Sequence, residues 1–99
     1  MRLAAAATVL TLSGCAIEYV DGMNEQGKLH CKLLEACDQL GDIGYTEVKE
    51  CIADSQRDDW SCSANYDPEA MDECISGWET AVNNKDCEAS PPACLQVCR

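Results

Sequence analysis

The stretch DPEAMDECISGWETAVN, residues 67–83, contains the strongest helix-initiation signal of the chain. Asp67 can cap a helix, and Pro68 suits the first helical position because an N–H group would have no partner there. Apolar residues recur every three to four positions, so Cys74 and Trp78 fall on one face with them. The stretch therefore predicts an amphipathic helix whose apolar face carries a cysteine and a core tryptophan.

Three further helices are predicted from the same periodicity. The first spans residues 28–40, the second spans residues 46–55 with a threonine as its cap, and the last starts at Ser90 and carries Cys94 and Cys98. No run alternates apolar and polar residues as a strand would. The sequence thus predicts an all-α domain, a small disulfide-rich bundle of about four short helices arranged as two helical hairpins.

The chain starts with a short apolar run that indicates export. Residues 3–12 follow a basic residue and are too few to cross a bilayer, which needs roughly 20 helical residues. The run ends in LSGC, residues 12–15, and here the chain resembles the bacterial lipoproteins, whose lipobox has this pattern. The resemblance implies cleavage between Gly14 and Cys15, followed by attachment of a lipid to the Cys15 sulfur.

This interpretation divides the chain into three parts. Residues 1–14 are the lipoprotein signal peptide, and residues 15–27 are polar and aperiodic, which predicts a lipid-attachment site followed by a flexible tether. Residues 28–99 form the disulfide-stapled helical domain. A chain of this size buries too little surface for a large core, so it needs covalent support.

Eight of the nine cysteines remain once Cys15 is assigned to the lipid. They are Cys31, Cys37, Cys51, Cys62, Cys74, Cys87, Cys94 and Cys98. An even number of cysteines, spread along an exported chain, predicts four disulfides. Each disulfide would stabilise the fold by about 2–4 kcal/mol.

The spacing of the cysteines favours some pairings, although eight cysteines allow about 105 connectivities. Cys37 and Cys51 lie equally far from the predicted turn between the first two helices, which favours a bridge across that hairpin. The other predicted pairs are Cys31 with Cys62, and Cys74 with Cys94 or Cys98.

Acidic residues dominate the charge of the chain. It has 18 Asp and Glu against 7 Lys and Arg, and loss of Arg2 with the signal takes the formal charge from −11 to −12. A phosphate backbone would be repelled, so nucleic acid is excluded as a partner. Anionic lipid is repelled as well, which leaves the N-terminal lipid as the means of membrane attachment. Two explanations of such an acidic surface are that it keeps the domain soluble or that it binds a cationic partner.

Catalytic and metal-binding patterns are absent from the sequence. His30 is the only histidine, and no serine has the nucleophile-elbow context of a hydrolase. The cysteines form no Cys-x-x-Cys pair for zinc or thiol exchange. A calcium loop starting at Asp54 would lack its glycine and its final glutamate, leaving at most a weak carboxylate site. The sequence predicts no catalytic residue, no cofactor, no small-molecule substrate and no dedicated metal site.

One loop stands out as a candidate contact surface. The segment 56–61 is polar and contains Trp60 next to Asp58 and Asp59. A tryptophan in this position either fills the junction between the hairpins or remains exposed as a binding anchor. The three residues are therefore the candidate binding residues.

The cysteine pattern from Cys62 to Cys98 also resembles cysteine-rich lipoproteins of Gram-negative envelopes, a resemblance that implies no particular activity. Ala16 replaces the Asp that retains some lipoproteins at the inner membrane, which implies outer-membrane sorting. The expected function is a non-catalytic, lipid-anchored envelope protein that uses an acidic helical domain for protein contact or structural support. A secreted effector or enzyme-inhibitor module and a small hydrolytic enzyme are the alternatives.

Overall fold

Residues 16–99 are described by the structure, a computed structural model, and they form an all-α domain with four disulfides. The α-helices are α1 (Tyr19–Ala36), α2 (Val48–Ser55) and α3 (Pro68–Asn84), with short 3₁₀ helices at Leu40–Ile43 and Pro92–Gln96. The only strand-like pairing in this range is an isolated bridge between Tyr66 and Cys98. The helical class is therefore confirmed, but the predicted fourth helix is a 3₁₀ turn that ends before Cys98.

Helix α1 corrects the prediction of a flexible tether. It begins at Tyr19 instead of Lys28, so most of the predicted tether is helical; Cys15 itself lies outside the described residues. Tertiary contacts fix this first part of α1. The Tyr66 hydroxyl donates to the Ile17 carbonyl over 2.6 Å, and the rings of Tyr19 and Tyr66 meet edge to face. Packing thus overrides a weak local pattern.

The other end of α1 also differs from the prediction. The helix stops at Ala36, and Asp38 has a left-handed φ of 58° that prevents further α-helix. Helix α2 is capped by Glu47, one residue after the predicted Thr46, because Glu47 and Glu50 form a reciprocal capping box. The hydroxyl of Thr46 donates to the Glu50 carboxylate instead.

Helix α3 confirms the opening prediction. The Asp67 carboxylate accepts hydrogen bonds from the backbone N–H groups of Glu69 and Ala70, and Pro68 is the first helical residue. The helix ends at Asn84, one residue beyond the predicted end, where Lys85 adopts a left-handed conformation. Local sequence signals therefore determine α3.

Helix α1 is the centre of the fold. It packs against α2 and against α3, whereas α2 and α3 make no extensive contact with each other. The buried residues form two separate clusters, one around Met71 and Cys74 of α3 and one around Cys31 and Cys51. Because no single core unites the three helices, their arrangement depends on α1 and on the disulfides.

The disulfides correct most of the predicted pairing. They are Cys31–Cys51, Cys37–Cys87, Cys62–Cys98 and Cys74–Cys94. Only Cys74–Cys94 was among the predicted pairs. The hairpin argument for Cys37–Cys51 is wrong because α1 ends before Cys37, which therefore lies beyond the helix face that meets α2. Cys31 occupies that face and is buried against Cys51.

Within residues 16–99, no helix is both long enough and apolar enough to cross a membrane.

Candidate functional site

A cleft of about 420 Å³ lies where α1, α2, α3 and the loop after α2 come together. Its lining consists of Met23, Gln26, Gly27, His30, Asp54, Ser55, Arg57, Trp60 and Trp78. Gly27 sets the distance between two of the walls, because a Cβ at that position would lie 2.8 Å from the Ser55 hydroxyl oxygen. The cleft therefore combines two tryptophans with charged and polar groups on a disulfide-fixed scaffold.

Asn24 of α1 holds the loop that forms one end of the cleft. Its side-chain amide donates to the Arg57 carbonyl over 2.8 Å, and its carbonyl oxygen accepts from the Arg57 N–H over 2.9 Å. The same oxygen accepts from the Trp60 indole N–H over 2.9 Å, and Gln56 donates to the Asn24 backbone carbonyl. These bonds give the loop a defined conformation although most of it is exposed to solvent.

Trp60 combines features of both predicted roles. Its indole is half-buried and bonded to α1 through Asn24, as expected for a residue that fills a junction. The ring nevertheless lines the cleft, and the Arg57 guanidinium carbon lies 4.9 Å from its centroid in a cation–π contact. Trp60 is thus held in place by its N–H and available at the cleft through part of its ring.

The two aspartates next to Trp60 differ in their surroundings. Asp59 accepts two hydrogen bonds from the Arg57 guanidinium, at 2.9 and 3.1 Å, and this pairing holds the pKa of the Asp59 carboxyl below its usual value. Both aspartates are exposed, and neither lines the cleft. Asp59 is nevertheless linked to the Trp60 ring, because the Arg57 guanidinium contacts both, whereas Asp58 has no such link.

Trp78 forms the opposite wall with His30. The centroids of the two rings lie 5.3 Å apart, the ring planes are tilted by 52°, and His30 is exposed. Trp78 packs against the cluster around Met71, which agrees with its predicted core position, but it also lines the cleft. Its indole N–H is buried and has no hydrogen-bond partner among residues 16–99.

Asp54, which the sequence suggested only as the start of an incomplete calcium loop, is a charged group of the cleft. One of its carboxylate oxygens accepts from the Tyr45 hydroxyl over 2.8 Å, a hydrogen bond that raises the pKa of Tyr45. No cationic side chain within residues 16–99 forms an ion pair with Asp54. Its charge is therefore directed to solvent and to the cleft.

The cleft also brings together His30, Asp54 and Ser55, three residue types of a hydrolytic triad. They do not form the hydrogen bonds of a triad, because the Ser55 hydroxyl donates to the Ile52 carbonyl and the Asp54 carboxylate accepts from the Tyr45 hydroxyl. A nucleophilic serine requires a hydrogen bond to its base. The observed geometry provides binding groups instead of an activated nucleophile. No cluster of three metal-binding side chains occurs in the described part of the chain.

Sequence reasoning identified Trp60 and missed most of its partners. Asn24 lies in the segment predicted as a tether, so it had no structural context. Asp54 of α2 and Trp78 of α3 come from separate elements that meet this loop only in the folded chain, and Arg57, although it lies in the predicted loop, was not singled out. The signal in the sequence that pointed to this site was a tryptophan next to two aspartates in a polar loop.

Comparison with known proteins returned no match: no known protein family, no curated protein and no solved structure is similar to this chain. The resemblance to lipoproteins consequently stays a prediction.

Proposed function

We propose that this protein is a non-catalytic, lipid-anchored protein of the bacterial cell envelope that binds another envelope protein through the cleft around Trp60 and Trp78. The observation that carries the proposal is the cleft itself, with two tryptophans presented at a gap between helices. Tryptophan and arginine are the residues most often responsible for binding energy at protein interfaces, and both occur here. The Asp54 carboxylate in the lining adds a polar group of the kind found at the rim of such contacts.

Rigidity of the cleft supports a binding role. The Cys31–Cys51 bridge joins α1 to α2, and the Cys74–Cys94 bridge fixes α3 to the C-terminal 3₁₀ helix. Asn24 adds noncovalent restraint to the loop that carries Trp60. A site that is ordered before its partner arrives loses less conformational entropy on binding. Four disulfides are also compatible with an exported protein.

The proposed anchor would hold the domain close to the membrane. Ile17 is bonded to the rest of the domain, because its carbonyl accepts from the Tyr66 hydroxyl, so a lipid on Cys15 would be attached two residues earlier in the chain. Two extended residues span about 7 Å, compared with about 40 Å for the tether predicted from the sequence. A partner would accordingly have to be within reach of the membrane surface.

The binding proposal can be tested by site-specific photocrosslinking in the native host. A photoreactive residue at Ser61, beside Trp60, is compared with one at Lys85, an exposed position outside the lining of the cleft. We expect a discrete protein adduct from Ser61 only. Trp60→Ala should abolish it, whereas Leu95→Ala, which removes an apolar side chain that is 80% exposed elsewhere, should not. Equal adducts at both positions, or an adduct insensitive to Trp60→Ala, would refute the proposal.

The anchor is tested separately. Metabolic labelling with palmitate and sensitivity of processing to globomycin should both depend on Cys15. A Cys15→Ala protein should leave the membrane fraction while its four disulfides remain intact. Continued fractionation with membranes would show that attachment does not require the lipid.

A further inference from the structure

Asp54 is the uncompensated charge of the cleft although an arginine also lines it. Asp54 has no ion-pair partner among residues 16–99 and lies in the last turn of α2, where the helix dipole is negative. The charge of Arg57 is offset by Asp59 through their two hydrogen bonds. The same residues 16–99 contain 18 acidic and six basic side chains, which adds a long-range negative field. The local and the global charge therefore both favour a cation.

Arg57 demonstrates how a cation is bound at this site. Its guanidinium carbon lies 4.9 Å from the Trp60 ring centroid while Asp59 binds the same group through two hydrogen bonds. More than half of the Arg57 side chain remains exposed, at 55%. The backbone of Arg57, and not its side chain, is bonded to Asn24. The side chain can thus be displaced without releasing the loop.

We propose that the cleft binds a basic side chain, arginine or lysine, from an exposed segment of the partner protein. This inference rests on the proposed binding function and specifies the chemistry of the partner. The cationic group lies at Asp54 and at the indole of Trp60, and Arg57 is the chain's own competitor for that indole. The aliphatic part of the basic side chain packs on the apolar walls provided by Met23 and Trp78.

Blocked tripeptides test this specificity directly. Acetyl-Leu-Arg-Leu-amide is compared with the same peptide containing citrulline, which keeps the shape of arginine without its charge, and with a glutamate peptide. Binding to the oxidised domain is followed by tryptophan fluorescence and by amide chemical shifts of residues 54–60. We expect the citrulline peptide to bind about tenfold more weakly than the arginine peptide at low salt, the loss of about 1.4 kcal/mol. The glutamate peptide should not bind.

Three variants assign the effect to individual groups. Asp54→Asn should reduce binding of the arginine peptide to the level of the citrulline peptide. Arg57→Gln should strengthen it several-fold, because it removes the competing cation and frees Asp59. Asp86→Asn is the matched control: Asp86 is also exposed and follows the end of α3, but it does not line this cleft. It should leave binding unchanged apart from the small effect of the net charge.

The outcomes separate this inference from the proposed function. Equal affinity for the arginine and citrulline peptides, or equal effects of Asp54→Asn and Asp86→Asn, would overturn the cation site. If neither peptide binds while the Trp60-dependent crosslink persists, the cation site is also wrong but the partner-binding function stands. Asp54-dependent binding to phosphatidylethanolamine vesicles in place of the arginine peptide would assign the site to a lipid amine and overturn the peptide specificity. Loss of both the peptide and the crosslink would refute both proposals.

Discussion

Replacement of Asn24 by alanine tests how the loop with Trp60 is held on α1. The asparagine side chain makes two hydrogen bonds with the Arg57 backbone and one with the Trp60 indole N–H. The Arg57 groups are exposed and can bond to water instead, so each bond contributes about 0.5 kcal/mol. Loss of the hydrogen bond to the half-buried indole N–H of Trp60 costs more, about 1 kcal/mol. Alanine regains about 0.5 kcal/mol of helix propensity, which leaves a net destabilisation of about 1.5 kcal/mol.

Asn83→Ala is the matched control for this experiment. Asn83 is exposed in the last turn of α3, and its side chain makes no hydrogen bond within the described residues 16–99, so its replacement gains helix propensity without a loss. The free energy of unfolding is measured by urea denaturation with the disulfides intact, using far-UV circular dichroism. Hydrogen exchange at the Arg57 amide should become faster in Asn24→Ala only. If the two variants unfold at the same urea concentration, Asn24 does not stabilise the loop and the account of the cleft is wrong.

Three further substitutions probe other contacts of the domain. Gly22→Ala should destabilise the domain by up to about 2 kcal/mol in urea denaturation: the new Cβ would lie 2.6 Å from Met71, which is fully buried, and this overpacking costs about 1–3 kcal/mol, against about 1 kcal/mol of helix propensity that alanine gains within α1. Gly41→Ala, whose Cβ would meet no atom of residues 16–99 within 4 Å, should have little effect. Trp78→Phe should change the unfolding free energy by less than about 1 kcal/mol, since the lost indole surface is offset by removal of a buried N–H without a partner. Glu50→Gln should lower the free energy of unfolding at neutral pH but not in acid. Capping hydrogen bonds, first of all from the Thr46 N–H, lower the pKa of Glu50 in the folded protein. The stabilisation by ionised Glu50 is therefore complete above its ordinary pKa of 4.5 and disappears as the pH falls through the lowered folded-state pKa. Denaturation at several pH values should then show the two proteins converging in acid, and a constant difference would contradict the capping role.

The sequence predicted α3 well and α1 poorly, for a physical reason. The start of α3 is determined within a few residues by Asp67 and Pro68, whose effect on backbone N–H groups is local. The first turns of α1 contain polar residues and two glycines, which give no helical pattern. Their helix forms because Tyr19 packs on Tyr66 and because Gly22 permits close contact with α3. Tertiary contacts of this kind have no signature in the local sequence.

The candidate site was also predictable only in part, because some of its residues are marked by local sequence and others meet through tertiary contacts. Trp60 could be identified because a tryptophan among acidic residues in a loop is unusual. Its hydrogen bond to Asn24 spans 36 residues, and the facing wall at Trp78 comes from another helix. The disulfide pattern was equally inaccessible, since the error in the end of α1 moved Cys37 away from α2. Once the end of a helix is misplaced by four residues, every pairing argument based on its face fails.

The divided core explains why a cleft persists in so small a domain. Closing the gap between α2 and α3 would bury the apolar surfaces of Trp60, Trp78 and Met23, and the hydrophobic effect favours such closure. Covalent bonds oppose it, because Cys31–Cys51 fixes α2 on one side of α1 while Cys37–Cys87 ties the end of α1 to the segment after α3. Disulfides stabilise a fold without requiring that its helices share one core. The same bridges that replace a large core therefore keep this aromatic surface open.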